Sequence, residues 1–272
     1  MTTPTQTSPM QAYLNHSRDL FDAVAAQAQT INSVADRFAR TILAGRSVHL
    51  FGSGHSRIMV EEMWPRYGSF PGFNPMVELS LSFHHQVVGS NGQRQAMYLE
   101  NVPGFAERIL RNYELDTIDS ALVISSSGCN VVPIEIAECF SKAGVDVAAL
   151  ISRAHSDAST SQRTDGKKLQ DFARYVLDTG APVGDAMVKL EGLETPVGPG
   201  STVGGCLVVN CIKTEVARRL IDAGQPPKVL AAGATVGKQR AAELFESAYD
   251  EHGRRAAKLY AQHGANDGVE VR

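Results

Sequence analysis

Apolar side chains recur at mostly three- and four-residue spacing from Gln11 to Ala44: Leu14, Leu20, Phe21, Val24, Ala28, Ile31, Val34, Phe38, Ile42 and Leu43. That is the period of an amphipathic helix, and no glycine or proline interrupts it, so one long helix is expected with Gly45 as its stop. The polar residues 1–10 ahead of it are expected to be disordered. The pattern then changes. Ser47–Phe51, Ser120–Ile124, Asp146–Ser152 and Tyr175–Leu177 are short continuous apolar runs, and a fifth is expected near Met187–Leu190. Helical patterns separate them, notably Val131–Gly144 and Gly204–Gly224, with a charged helical tail over Lys238–Gln262. Residues 65–115 are broken by Pro65, Gly68, Pro71, Gly72 and Pro75, which predicts an irregular connection followed by one or two short helices.

Continuous apolar strands alternating with helices predict an α/β protein with a parallel sheet covered on both faces. One domain is expected over residues 11–230, with a helical extension over 231–272. In such sheets ligands bind beyond the carboxyl ends of the strands, which directs attention to the loops after Phe51, Ile124 and Ile151.

Composition narrows the field. With 26 Lys and Arg against 29 Asp and Glu in 272 residues, the net charge of -3 gives no general attraction to nucleic acid or an anionic membrane. No apolar run approaches membrane-spanning length, and the N-terminus lacks the basic start and apolar core of a secretory signal. The cysteines, Cys129, Cys139, Cys206 and Cys211, form no CxxC pair, which fits a reducing cytoplasm and small buried residues rather than a zinc cluster.

Two strand-to-helix loops carry the chemistry. Ser125-Ser126-Ser127-Gly128-Cys129-Asn130 offers three hydroxyls, a flexible glycine and the first N–H groups of a helix, with Asn130 as its expected cap. It contains no Lys and no GxxxxGK[ST] pattern, so a phosphate monoester suits it better than a nucleoside triphosphate. The alternative is an ordinary serine-rich turn. The second loop, Gly52-Ser53-Gly54-His55-Ser56, lacks dinucleotide spacing and is a weak signal alone. Consecutive Glu61 and Glu62 point about 100° apart on a helix, so one could face a ligand. Equally, Glu61 could pair with Arg57 and Glu62 with Arg66. His84 and His85 are either functional or hydrogen-bonded in the interior. Lys167 and Lys168 either neutralise a phosphate or form a solvated pair. His155 sits in a polar loop where it could touch a ligand.

Together the two loops resemble the SIS (sugar isomerase) domain family, which binds phosphosugars on a flavodoxin-like, three-layer αβα fold. The resemblance covers roughly Gln11 to Gly224. FGSGHS, Glu61-Glu62, SSSGCNVVPIEIA, His155-Ser156 and VGPGSTVGG resemble in particular the stand-alone bacterial branch related to phosphoheptose isomerases and N-acetylmuramic acid 6-phosphate etherases. The resemblance implies phosphate and sugar contacts from Ser125, Ser126, Ser127, Asn130, Ser53, Gly54, Ser201 and Thr202. It implies Glu62, or Glu61, as the base, Arg66 as a substrate contact, and His55 and His84 as further catalytic candidates. Phosphoheptose isomerases place a zinc-binding His where this chain has Ile58, and a catalytic His in the C-terminal helix, where the polar candidates here are Asn210 and Lys213. No metal or other cofactor is therefore expected.

The activity this implies is elimination of water from an N-acetylhexosamine 6-phosphate, the N-acetylglucosamine 6-phosphate dehydratase reaction associated with the branch. Isomerisation or deamination of a sugar phosphate is one alternative, and a non-catalytic sugar-phosphate sensor is another. Many SIS sensors carry a helix-turn-helix domain, for which the N-terminal helix leaves no room. The long first helix and its apolar stripe suggest a homodimer or higher homo-oligomer.

Overall fold

The computed structural model describes residues 8–82 and 92–260. The N-terminal stripe forms two helices, α1 (Pro9–Ala25) and α2 (Ala28–Leu43), rather than one long helix. Ser8 starts the first, its hydroxyl accepting from the Gln11 N–H, and Pro9 sits where no N–H is needed. The break has a tertiary cause. Gln27 donates to the Asp178 carbonyl at 2.7 Å and accepts from the Asp178 N–H at 2.8 Å. One side-chain amide thereby satisfies both backbone groups of a residue at the sheet edge, and the helix yields there.

The chain continues through β1 (Val48–Gly52), α3 (Arg57–Met63), β2 (Phe73–Met76), α4 (Leu79–Ser82), α5 (Gln93–Leu99) and α6 (Phe105–Leu110). It then forms β3 (Ser120–Ile124), α7 (Val131–Lys142), β4 (Asp146–Ile151), α8 (Arg153–Ala158), β5 (Tyr175–Asp178), β6 (Ala186–Val188) and β7 (Val197–Pro199). The helices α9 (Ser201–Asp222), α10 (Gly233–Val236) and α11 (Lys238–Ala256) follow. The sheet is five-stranded and parallel, in the order β2-β1-β3-β4-β5.

Four of its strands are those the sequence predicts. The fifth is β2, from the stretch expected to be irregular. Pro75 disguises it, but an edge strand tolerates proline. The run near Met187 is not in this sheet: β6 pairs antiparallel with β7 as a separate ribbon, and only Val188 of β6 is buried.

Strand alternation builds two cores. Leu50, Leu122, Ile124, Leu150 and Leu177 pack with α2, α3 and α9 on one face. Phe51, Val123, Ala149 and Ile151 pack with α6 and α7 on the other. Gly204 lets α9 press onto β5, since a Cβ there would lie 1.9 Å from the Thr179 carbonyl oxygen. The C-terminal helix α11 docks on the body: Ala248 is buried, Tyr249 and His252 lie against Trp64, and Arg255 donates to the carbonyls of Ile42 and Arg46. Among the described residues no helix is long and apolar enough to cross a membrane.

A buried polar knot fixes the amino ends of the strands. Asp119, fully buried, accepts from Arg46 at 2.8 and 2.7 Å, from the Asp116 N–H at 3.0 Å, and lies 3.3 Å from His49. Burial alone would raise its carboxyl, but the bonds from His49, Arg46 and the Asp116 N–H outweigh that and bring it down to about 2. Its contribution to stability is therefore complete above the ordinary carboxyl value near pH ~4 and is lost as pH falls toward 2. Asp119→Asn is expected to cost about 2 kcal/mol at neutral pH and to flatten the acid limb of a thermal-unfolding series. An unchanged acid limb would contradict this linkage.

Candidate functional site

The loops after β1, β3, β4 and β5 and the first turn of α9 enclose a cleft of about 380 Å³ at the carboxyl ends of the strands. Ser53, Gly54 and His55 line it from the β1 loop, and Ser125, Ser126, Ser127 and Asn130 from the β3 loop. Ser201 and Thr202 enter from α9, and His155 from α8. Residues scattered over 150 positions of sequence thus meet at one cleft.

The serine turn is tightly built. The Gly128 N–H donates to the carbonyl and hydroxyl of Ser125, at 3.1 and 3.2 Å, and the Cys129 N–H donates to the Ser127 hydroxyl at 3.2 Å. Gly128 has φ of 64°, and a Cβ there would press on Gln170, Ile151 and Leu169. One group stands out: the Ser126 hydroxyl is buried in the cleft wall and makes no hydrogen bond among the described residues. A buried hydroxyl without a partner costs free energy unless a ligand completes it.

The start of α7 differs from expectation. Asn130 occupies the cap position, but its side chain donates to Glu100 Oε2 at 2.5 Å instead of capping. The Val131 N–H is taken by Asn101 Oδ1 and the Val132 N–H by the Glu100 carbonyl. With these two N–H groups engaged, anion binding falls mainly to the serine turn itself.

Glu100 is the functional candidate that sequence reasoning passed over. It ends α5, is 8% exposed, and lines the cleft. Burial pushes its carboxyl up, and hydrogen bonds from Ser53 and Asn130 offset this only in part. Its signal in the sequence is slight: Ala96 and Glu100 share one face of a short helix, which puts a carboxylate on the buried side.

Glu61, Glu62 and Arg66 do not share this cleft. They line a separate pocket of about 580 Å³ with Tyr67, Phe245 and Tyr249. Glu62 is ion-paired with Arg66, accepts from Asn210 at 2.9 Å, and its carbonyl accepts from Lys213 at 2.9 Å. Burial pushes the Glu62 carboxyl up, but the bonds from Asn210 and Arg66 prevail and hold it below the ordinary range, which suits a structural anion better than a base. Asn210 and Lys213, the polar candidates of the C-terminal helix, thus serve Glu62. Lys168 donates to the Ser156 carbonyl and Lys167 lies over the Phe172 ring, so neither lines the cleft. His84 and His85 lie outside the described residues.

A model of the SIS domain matches residues 12–152. A UPF0309 protein of Brucella suis biovar 1 is 35% identical over 213 residues, 78% of this chain and 83% of its own length. The chain belongs to the SIS domain family of phosphosugar-binding proteins, within the UPF0309 group. A second UPF0309 relative, from Halalkalibacterium halodurans, is 32% identical over 78% of this chain and 86% of its own. Among solved structures, a phosphoheptose isomerase from Francisella tularensis aligns with a TM-score of 0.48 at 15% identity, covering 77% of this chain and 96% of that one. The sugar isomerase domain of an RpiR transcription factor from Sphaerobacter thermophilus also gives 0.48 at 15%, over 90% and 99%.

The unpartnered Ser126 hydroxyl separates a ligand role from a structural one. Ser126→Ala is expected to leave the melting temperature unchanged or slightly raised, because it removes an unsatisfied buried group. Calorimetric titration with N-acetylglucosamine 6-phosphate should show affinity falling about tenfold, the loss of one hydrogen bond to a charged group. Unaltered affinity would remove Ser126 from the site.

Proposed function

We propose that this SIS protein is a sugar-phosphate lyase that eliminates water from an N-acetylhexosamine 6-phosphate, with Glu100 as the base. The observation that carries the proposal is the meeting, in one cleft, of a serine turn with an unsatisfied hydroxyl and a desolvated carboxylate whose proton affinity is raised. A carboxylate in that state is a better base than one in water. The phosphate ester rests on Ser125–Ser127, and the opened sugar extends toward Glu100. Glu100 takes the proton at carbon 2, and the hydroxyl on carbon 3 leaves with a proton as water. Electrons from the broken C–H bond form the new double bond, so the net change is the loss of one water. An acetamido group cannot become a carbonyl at carbon 2 by simple isomerisation, which favours elimination for this substrate. His55 lines the cleft and is the candidate acid that protonates the departing hydroxyl.

Glu100→Gln keeps the side chain's shape and should lower kcat by about 10²–10⁴-fold, while N-acetylglucosamine 6-phosphate still binds. Glu62→Gln should turn over at the wild-type rate. Mass spectrometry for a product lighter by one water reads both. A wild-type protein that binds the sugar and returns it unchanged is a sensor, and undiminished turnover by Glu100→Gln removes this residue as the base.

Assembly as a homodimer is part of the proposal. Its support is the apolar surface that α1 leaves exposed at Met10, Leu14 and Phe21, beside a groove lined by Phe21, Ile31 and Leu207. Light scattering should give twice the chain mass, and a monomeric mass overturns this.

A further inference from the structure

The proposed reaction leaves one carboxylate of the cleft unused. Asp185 precedes β6 and is the only non-glycine residue among those described with a positive φ, 71°. Its Oδ1 accepts from the N–H groups of Gly200 and Ser201 at 3.1 and 2.6 Å, and its Oδ2 accepts from the Ser201 hydroxyl at 3.0 Å. The start of a 22-residue helix, where backbone N–H groups and the helix dipole favour an anion, is thus filled by an anion of the protein's own.

The rest of the lining does not restore a positive charge there. No Lys or Arg is among the described residues that line the cleft. The His155 Nδ1 is spent as an acceptor for the Gly184 N–H at 3.2 Å. His55 sits on the β1 loop, next to the serine turn, while Asp185 follows β5 at the far edge of the sheet. The Ser201 hydroxyl spends its hydrogen on Asp185, so toward a ligand it can accept but not donate. A phosphate or carboxylate, which only accepts, gains nothing from it. A sugar hydroxyl, which donates, does.

We infer that Asp185 makes the cleft selective for ligands with a single anionic group. The phosphate seats on Ser125–Ser127, and the end of the ligand beside α9 must be neutral, a hydroxyl or an uncharged acyl group. Ligands with a second negative charge remote from the first, such as a sugar bisphosphate or a phosphorylated aldonic or ether-linked acid, are rejected. This rests on the phosphosugar reading above and narrows its substrate class: it selects N-acetylhexosamine 6-phosphates, whose phosphate is their one anionic group, over sugar phosphates that also carry a lactyl carboxylate.

The test is calorimetric titration of the wild-type protein with glucose 6-phosphate, 6-phosphogluconate and N-acetylglucosamine 6-phosphate, repeated with Asp185→Asn. Asparagine keeps an acceptor for the helix start and tolerates a positive φ. Wild type should bind 6-phosphogluconate more weakly than glucose 6-phosphate by about tenfold or more, the order expected for like charges a sugar's length apart in a partly solvated cleft. Asp185→Asn should close most of that gap by gaining affinity for 6-phosphogluconate. Raising the salt should narrow the wild-type gap as well, which a purely steric exclusion would not do, and this decides the matter should the variant fail to fold. Equal wild-type affinities, or a gap indifferent to both salt and Asp185→Asn, overturn the inference while leaving the phosphosugar reading intact. If none of the three phosphosugars binds, that reading falls and the inference falls with it.

Discussion

The 2.5 Å hydrogen bond from Asn130 to Glu100 ties together two parts of the chain that arrive at the cleft by different routes. Asn130 comes with the serine turn, at the end of a central strand whose position the sheet dictates. Glu100 comes from the end of α5, one of the short helices between β2 and β3. The backbone repeats the tie, since the Glu100 carbonyl accepts from the Val132 N–H at 2.8 Å and Asn101 accepts from the Val131 N–H. The segment that carries Glu100 therefore caps the helix that begins at the serine turn. Neither can move without leaving buried polar groups unpaired, a cost of about 1–3 kcal/mol each. A rigid separation between anion seat and base is what proton abstraction from a fixed carbon requires.

The proposed phosphate seat needs no cation. The hydroxyls of the β3 loop are its donors, since the Gly128 and Cys129 N–H groups are spent within the turn, and the glycines supply the shape. Gly128 has a conformation that L side chains avoid and a neighbourhood that leaves no room for one, and Gly52 would bring a Cβ to 2.7 Å from the Ser56 carbonyl oxygen. A cation in the cleft would lower the proton affinity of Glu100, as Arg66 does for Glu62. A phosphate held by neutral donors, as proposed, would leave the carboxylate basic.

The strands and the two glycine loops were legible in the sequence because each is a continuous local signal: an apolar run, then small and polar residues. Ser53, His55, Ser125, Ser126, Ser127, Ser201 and Thr202, all carried by such motifs, line one cleft. What was not legible depends on contacts far apart in the chain. The break at Gln27 exists because Asp178, some 150 residues on, offers two backbone groups at a sheet edge. Strand β2 is masked by its own proline and declares itself only as the partner of β1. The family resemblance implied Glu62 as the base, while its spacing offered the pairing with Arg66 that forms; the bond from Asn210 and the separate pocket depend on residues far away in the chain. Glu100 lacked any motif at all, and only burial marks it.

The two carboxylates of the cleft sit in different surroundings. Asp185 receives three hydrogen bonds from Gly200 and Ser201, two of them from backbone N–H groups at a helix start. It stands by α9, where it orients Ser201 as an acceptor. Glu100 is buried beside the serine turn, and that burial raises its carboxyl against the hydrogen bonds from Ser53 and Asn130. Under the proposed reaction, the reacting carbons of a ligand anchored by its phosphate lie on the Glu100 side of the cleft.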